Sequence, residues 1–361
     1  MKRVLTYLLL CLLAMMATPL KGVAQEILWD ADFDFRFDNR EYGDPSKMIA
    51  PSGTLFGANL RPEIGLGWGY DHKLKVGITI PADMGSESFM GTPELLAYYA
   101  FDGSRFRTAL GLFPRQRLMG RYSYAFFSDS YRFYHPSIEG CLVQFKTPDW
   151  FVELGCDWNG LRSTTRREMF TILLAGEANR DFSYAGYSAY LHHHAASDTA
   201  RGVVDNGLAS IYMGLDLSEL FYDIDFSVQA AWIQAYQNDR LHIGTPVLPG
   251  GYEIELNMRR DDIGLQENFY SGDDLMPYYT LPFEDANGSA YGSHLYFGDP
   301  FYRVGEKGFY NRLELYWEPK LKDGVKLRIA SVHHFDGIHW GWQQVIALSV
   351  NIGSDMFGPI R

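Results

Sequence analysis

Residues 29–38 read Trp-Asp-Ala-Asp-Phe-Asp-Phe-Arg-Phe-Asp, a strict alternation of apolar and charged side chains. Successive side chains of a β-strand point to opposite faces, so Trp29 and every second residue after it share one face while Asp30 and its set share the other. A helix would mix the two sets because its period is 3.6 residues. The segment therefore predicts a strand with one apolar face and one charged face.

The same alternation continues through the next two segments. Residues 54–70 and 73–82 each alternate apolar side chains with charged residues or glycine, and only Asp71 and His72 separate them. Two alternating segments joined by a two-residue connection predict a β-hairpin. Applied along the chain, the same test predicts sixteen strands: 27–38, 54–70, 73–82, 93–102, 105–113, 137–147, 149–158, 168–176, 182–192, 207–217, 221–236, 252–260, 263–269, 308–318, 325–334 and 340–352.

The connections between these strands alternate in length. Short turns, such as Asp261-Asp262, follow every second strand, and the intervening links are longer, up to 270–307, with only the last, 335–339, being brief. A membrane barrel needs this arrangement, because its periplasmic side carries tight turns and its external side carries loops. The sequence predicts an all-β fold, a single transmembrane antiparallel β-barrel of about 16 strands, within a range of about 14 to 18.

The N-terminus reads as an export signal. Lys2 and Arg3 precede an apolar run, residues 4–16, and Gly22-Val23-Ala24 supplies the small residues of a cleavage site. We expect residues 1–24 to be the signal peptide and 25–361 to form one domain, the barrel. Cys11 lies inside the apolar run and not behind it, which argues against lipoprotein processing.

Composition limits the class of protein. The chain has 44 acidic and 32 basic residues and a formal net charge of −12, so nucleic acid is not an expected partner. Beyond the signal, no segment approaches the length of a membrane-spanning helix, while aromatic residues make up 16% of the chain. Membrane residence is therefore expected through strands.

A signal peptide, sixteen alternating strands, short turns and long loops resemble the general porins of Gram-negative outer membranes across nearly the whole mature chain. The resemblance is architectural and rests on no sequence motif. It implies an outer-membrane location, contact with outer-membrane lipid and lipopolysaccharide, and passage of small hydrophilic solutes. One departure is the C-terminus, since the last predicted strand ends at Ile352 and the chain continues to Arg361, whereas such barrels usually finish on an aromatic residue.

In porins of this class the third external loop narrows the pore. The corresponding connection here, residues 114–136, is rich in arginine and aromatic residues. A charge in a narrow, partly dehydrated passage favours counter-ions, so this loop is the expected constriction. The alternative is an exposed loop whose arginines meet lipopolysaccharide phosphates or solvent. The pore-constriction candidates are Arg115, Arg117, Arg121, Asp129 and Arg132.

The charged faces of the strands predict the lining of the lumen. A sixteen-stranded barrel is wide enough to hold water, so charges can face its interior. The alternative role for most of them is a ladder of cross-strand ion pairs that holds the wall together, each worth under about 1 kcal/mol. The lumen-facing candidates are Asp32, Asp34, Arg61, Glu63, Lys75, Arg105, Arg107, Glu153, Glu253, Glu255, Arg312 and Glu314.

Two further features concern cysteine and histidine. Cys141 and Cys156 are symmetric about the turn at Pro148-Asp149, so they should face each other across a hairpin, either as a disulfide or as free thiols. Consecutive histidines in a strand point alternately in and out, so the run 192–194 favours a solvated or headgroup-facing cluster over a metal site. Tyrosine and tryptophan recur near strand ends, which fits interfacial aromatic girdles; the alternative is the ordinary preference of strands for aromatic residues.

Passive diffusion through the barrel is the favoured function, with no catalysis and no cofactor expected. Two alternatives remain open: a structural or adhesive barrel, which the long loop 270–307 would suit, and an outer-membrane lipid hydrolase, for which the sequence contains no recognisable nucleophile motif. An energised transporter would carry a plug domain ahead of the barrel, and the first strand begins too early for one. A monomer and a porin-like homotrimer both fit the sequence, and it leaves the identity and charge of the solute open.

Overall fold

The structure is a computed structural model that describes residues 25–42, 50, 52–69, 71–88, 90–199, 201–241, 243–281, 291, 295–304 and 308–357. The expected signal peptide, Tyr70, and parts of the loops at 43–49 and 282–307 lie outside the described residues. Among the described residues, no helix is long and apolar enough to cross a membrane.

The described chain forms sixteen strands that pair in sequence order, each antiparallel to its neighbours, and β1 pairs with β16 to close the barrel. The predicted fold and all sixteen predicted strands are therefore confirmed. The strands are β1 (Gln25–Tyr42), β2 (Gly53–Trp68), β3 (His72–Asp83), β4 (Glu94–Asp102), β5 (Phe106–Pro114), β6 (Ser137–Lys146), β7 (Trp150–Gly160), β8 (Met169–Arg180), β9 (Ser183–His194), β10 (Val204–Asp216), β11 (Asp225–Asp239), β12 (Gly250–Arg260), β13 (Ile263–Gly272), β14 (Phe309–Trp317), β15 (Val325–Phe335) and β16 (Trp340–Gly353).

The burial pattern of the barrel is inverted relative to a soluble protein. Apolar side chains on the outer face are exposed, such as Ile211 at 64% and Leu154 at 53%, while charged side chains on the inner face are buried, such as Arg61 at 1% and Glu153 at 1%. Lipid rather than water is the solvent that suits this outer face. The chain is an outer-membrane β-barrel, and its alternating sequence pattern produces the inversion directly.

Strand ends differ at the two rims of the barrel. At the turn end, β12 and β13 join through Asp261-Asp262, where Asp261 adopts a positive φ of 53°, and β15 begins after Gly324 at a φ of 78°. Aspartate and glycine accept the left-handed backbone that tight turns require. At the loop end, links such as 115–136 are far longer, as the alternation of connection lengths predicted.

Aromatic side chains mark both rims on the outer face. Trp68 and Trp317 lie at the turn end, and Trp158 and Trp342 lie at the loop end. This placement is the geometry of two interfacial girdles. The C-terminal departure from the porin pattern has a simple form: β16 ends at Gly353 and a single helical turn, Ser354–Phe357, follows it.

Candidate functional site

The link between β5 and β6, residues 115–136 and here called the inner loop, crosses the interior of the barrel. Its residues Ala125, Phe126 and Phe127 are at most 2% exposed. Inward-facing side chains of the wall hold its backbone: Asn59 donates to the carbonyl of Phe133 at 2.8 Å, and Ser188 donates to that of Arg121 at 2.7 Å. The wall strands thus position the loop at mid-height in the lumen.

Glu153 is the main acidic anchor of the inner loop. This carboxylate on β7 accepts hydrogen bonds from the backbone amides of Met119 and Gly120 at 2.5 and 3.2 Å, and from the Tyr122 hydroxyl at 3.1 Å. Gln144 on the adjacent strand donates to it as well, at 2.6 Å. Glu153 therefore serves to hold the inner loop against the wall.

Arg115 is the main basic anchor and lies at the base of the loop. Its guanidinium donates to the carbonyls of His135 and Ser137 at 2.8 and 2.9 Å and to the Asp157 carboxylate at 2.7 Å. The same guanidinium lies 5.3 Å from the ring centre of Tyr131. Arg115 is 9% exposed, and its guanidinium is taken up by these contacts, which close the loop at its base.

Two more candidates of the constriction set are neutralised by carboxylates of the wall. Arg117 pairs with Asp102, and Arg121 pairs with Glu177 while lying over the ring of Tyr184 at 4.5 Å. A paired charge attracts a solute ion less than a free one, because the partner cancels most of its field. These two arginines contribute little net charge to the passage.

Asp129 and Arg132 lie on the one helical turn of the loop, Asp129–Tyr134, which Ser128 caps by accepting from the Tyr131 amide. Asp129 accepts from Arg36 on β1 at 2.9 Å. Burial alone would raise the pKa of Asp129, but Arg36, Arg312 and Arg132 outweigh it and lower that pKa to about 2. Asp129 is therefore ionised at ordinary pH.

Arg132 differs from the other arginines of the loop. Its guanidinium donates to two backbone carbonyls, those of Phe127 at 3.3 Å and of Tyr122, and no carboxylate lies within salt-bridge distance of it among the described residues. The side chain is exposed to the lumen. Arg132 is thus the cation of the inner loop that retains its charge toward the passage.

Two cavities adjoin the inner loop, of about 330 and 210 Å³. The larger borders Asp34 and Arg61 of the wall, and the smaller borders Glu255. Tyr122, Asp129 and Arg132 line both cavities. The helical turn of the loop therefore stands between the two spaces.

A second segment, residues 295–304 of the long link between β13 and β14, packs on the inner loop from the loop end. The Ser128 amide donates to the Phe297 carbonyl at 2.9 Å, and the Asp299 amide donates to the Tyr124 carbonyl at 2.7 Å. The Phe297 ring stacks on Tyr131 at 4.8 Å. The two loops thus pack against each other inside the barrel.

The predicted lumen-facing side chains do point inward, with one exception. Arg105 lies in the exposed turn between β4 and β5 and not on the wall, because β5 begins only at Phe106. Most of the basic residues form ion pairs across strands, as in Arg61 of β2 with Asp32 of β1 at 2.7 Å, whereas Arg312 pairs with Glu314 of its own strand, β14, at 2.7 Å. The set at inward positions is Asp32, Asp34, Arg61, Glu63, Lys75, Arg107, Glu153, Glu253, Glu255, Arg312 and Glu314.

The acidic residues of the opposite wall bind neutral donors. Glu253 accepts from the hydroxyl of Tyr302, and Glu255 accepts from Asn257 at 2.8 Å. The sequence did not indicate Tyr302 or the 295–304 segment as part of the site. The sequence showed only that this long loop is rich in Tyr, Phe and Gly, and an exposed lid would have the same composition.

The two cysteines and the run of three histidines lie on strands of the wall. Cys141 and Cys156 lie opposite each other in the β6–β7 register, and both thiols are free, so the disulfide alternative does not hold in this structure. His192 and His194 point inward and His193 points outward, where it contacts Asp205 at 2.7 Å. The described residues contain no group of three or more potential ligands that could hold a metal ion.

Comparison with solved structures finds proteins of the same architecture. The high-pH structure of Pseudomonas putida OprB has a TM-score of 0.52 at 11% identity, covering 91% of this chain and 94% of that one. Pseudomonas aeruginosa opdK has a TM-score of 0.51 at 9% identity, covering 91% and 99%. A loop L8 deletion mutant of Vibrio cholerae OmpT has a TM-score of 0.54 at 9% identity, covering 91% and 100%.

These identities are too low to show more than a shared fold, a porin-like outer-membrane barrel. None of the curated proteins compared with the chain matches it in sequence. A family model does match, over residues 31–282, from β1 through β13 and into the link that follows it. On that match, which covers more than half of the sequence, the chain belongs to the lipid A 3'-O-deacylase-type family.

Proposed function

We propose that the protein is a passive channel for small hydrophilic solutes, with the inner loop as its constriction and a preference for anions. The observation that carries the proposal is Arg132, a lumen-exposed cation that borders both cavities and has no carboxylate within salt-bridge distance among the described residues. Diffusion through a hydrated lumen needs no catalytic group and no cofactor.

The direction of the charge preference follows from which charges are cancelled. Arg115, Arg117 and Arg121 are each paired with a carboxylate, and Asp129 is paired with Arg36. Arg132 is the remaining charge on the helical turn between the cavities. In a narrow passage its field is screened less than in bulk water, so it attracts anions and repels cations.

Neutralising Arg132 is expected to reduce the preference for anions by about fivefold, because one unit charge at contact distance is worth about 1 kcal/mol even in a watery passage. The measurement is the reversal potential of the refolded barrel in a planar bilayer under a salt gradient, comparing Arg132→Gln with the unchanged protein. Arg132→Lys keeps the charge and is the matched control. Arg117→Gln, at a paired site, should change the ratio less.

Two results would count against the proposal. A barrel that inserts and stays electrically silent would exclude a passive channel. If the open channels of Arg132→Gln and Arg132→Lys had the same ion preference, Arg132 on the helical turn would not determine the selectivity of the pore. The acidic wall around Glu255 would then determine it.

Family membership favours a second candidate function, lipid A deacylation, in which an acyl chain is released from the 3′ oxygen of lipid A. An outer-membrane barrel has direct access to such a lipid. If the protein has this activity, vesicles containing lipid A should yield free fatty acid and a lipid A product lighter by one acyl chain in the mass spectrum. Unchanged lipid A after incubation with correctly refolded barrel would remove this candidate and leave the channel standing alone.

A further inference from the structure

Two reactive side chains lie on the membrane-facing wall near the loop end of β15. Ser331 and His333 share the outer face of that strand, since they pair with Gln344 and Trp342 of β16, whose faces follow from the outward Ile346. Lipid-facing positions of a barrel are ordinarily apolar. A serine and a histidine two residues apart on this face are therefore unusual and need a reason.

The pair has the geometry of a nucleophile and its base. Ser331 Oγ lies 3.1 Å from His333 Nε2, and Trp342 Nε1 lies 2.8 Å from the same Oγ. An indole nitrogen can only donate, so Trp342 donates to the serine oxygen and the hydroxyl hydrogen is free to point at His333. In the tautomer that carries its proton on Nδ1, His333 Nε2 accepts from this hydroxyl, and that is the form that can take the serine proton.

The surroundings of the pair suit an ester. The imidazole of His333 packs against Trp340 at 5.4 Å, which holds the ring in place, and its Nδ1 is buried with no hydrogen-bond partner among the described residues. Gln344 lies directly across from Ser331, and its Oε1 accepts from Asn39 at 3.1 Å. The Nε2 hydrogens of Gln344 thus remain available for a developing oxyanion.

The height of the pair matches the position of lipid esters. Ser331 and His333 lie within a few residues of the end of β15 at Phe335, on the side of the long loops, and beside Trp340 and Trp342, which are 55% and 41% exposed. Such tryptophans sit at the headgroup level of a membrane. Acyl esters join headgroups to chains at that level, so an outer-leaflet ester can reach the wall here.

We propose that Ser331, with His333 as general base and Gln344 as oxyanion donor, forms a membrane-facing site that hydrolyses acyl esters of outer-leaflet lipids. Ser331 Oγ attacks the ester carbonyl and its proton passes to His333 Nε2. The carbon–oxygen bond to the alcohol breaks, and the alcohol leaves with the proton from His333. Water, deprotonated by His333, then releases the acid and restores the serine.

This inference rests on the second candidate function, ester hydrolysis, and is independent of the channel. Ser331 and His333 lie outside the matched family segment, residues 31–282, so the site is argued from the geometry of this chain alone. The proposed site is a serine–histidine dyad, which works without a carboxylate to orient the histidine. Packing against Trp340 orients the imidazole of His333 instead.

The test uses the refolded full barrel in lipid micelles, with a long-chain alkyl fluorophosphonate as the covalent probe and a p-nitrophenyl acyl ester as the substrate. We expect the probe to label Ser331 in the peptide mass spectrum. Ser331→Ala should abolish labelling and ester hydrolysis, and His333→Gln should slow both by about 100-fold or more, the usual contribution of a general base. Ser271→Ala, which removes another outward serine near the loop end, is the matched control and should behave as the unchanged protein.

The possible results distinguish a wrong assignment of the site from an absence of ester hydrolysis. Hydrolysis that persists in Ser331→Ala would overturn this site and retain ester hydrolysis elsewhere on the chain. An unchanged protein that neither reacts with the probe nor hydrolyses the ester would overturn both. Bilayer conductance of Ser331→Ala should equal that of the unchanged barrel, because the side chain faces lipid, so a failure of the channel proposal would register in a different measurement.

Discussion

Replacing Arg115 with glutamine is expected to lower the free energy of unfolding by about 3–5 kcal/mol, the usual cost of breaking a buried ion pair from one side. The substitution strands the Asp157 carboxylate, which is 3% exposed, without its cation. It also removes the donors that bind the carbonyls of His135 and Ser137, where the inner loop rejoins the wall. Among single changes in the loop, we expect this one to have the largest effect on stability.

Stability and loop position can be measured separately. The temperature at which the folded barrel converts to the unfolded band in detergent gel electrophoresis reports the first, and the noise of the open-channel current reports the second. Arg117→Gln breaks a less buried pair and should shift the transition far less. In the double variant Arg115→Met with Asp157→Leu the stranded charge is gone, so part of the stability should return while the current remains noisy. Equal transition temperatures for Arg115→Gln and the unchanged protein would show that the loop is held by other contacts.

The barrel could be predicted from the sequence because its physical cause is local. Alternation of the kind seen in residues 29–38 reports which face of each strand meets lipid, and the length of each connection reports which rim it crosses. Boundaries were less certain where a strand runs on beyond the membrane. β1 extends to Tyr42 although the prediction ended it at Asp38, because hydrogen bonding to β2 and β16 continues past the apolar alternation.

The interior could be predicted only in part, because its contacts join residues far apart in the chain. The inner loop was identified by its order and its arginines, but which arginine retains its charge depends on partners such as Asp157, 42 positions away from Arg115. The docking of Phe297 on the loop and the pairing of Ser331 with His333 left no motif in the sequence. Register and side-chain direction, which only the fold supplies, brought these groups together.

Gly298 lies at a point of close approach between the two interior loops. A Cβ at this position would lie 2.0 Å from the carbonyl oxygen of Ala125, a separation that real Cβ atoms do not show, so the backbone would have to move. Two backbone hydrogen bonds flank the contact, from Ser128 to Phe297 and from Asp299 to Tyr124. Each buried group left without its partner costs about 1–3 kcal/mol, so separating the loops is the expected response to a side chain here.

Gly298→Ala should therefore release the 295–304 segment from the inner loop and widen the route from the loop end to the cavities. Single-channel conductance should rise, and amide hydrogen exchange at Ser128 and Asp299 should speed up at least about tenfold, since each 1.4 kcal/mol of lost protection is a factor of ten. Gly53→Ala is the control, because a Cβ there meets nothing within 4 Å. Faster exchange with unchanged conductance would mean that the 295–304 segment does not limit the passage, and the inner loop alone would then set the width of the pore.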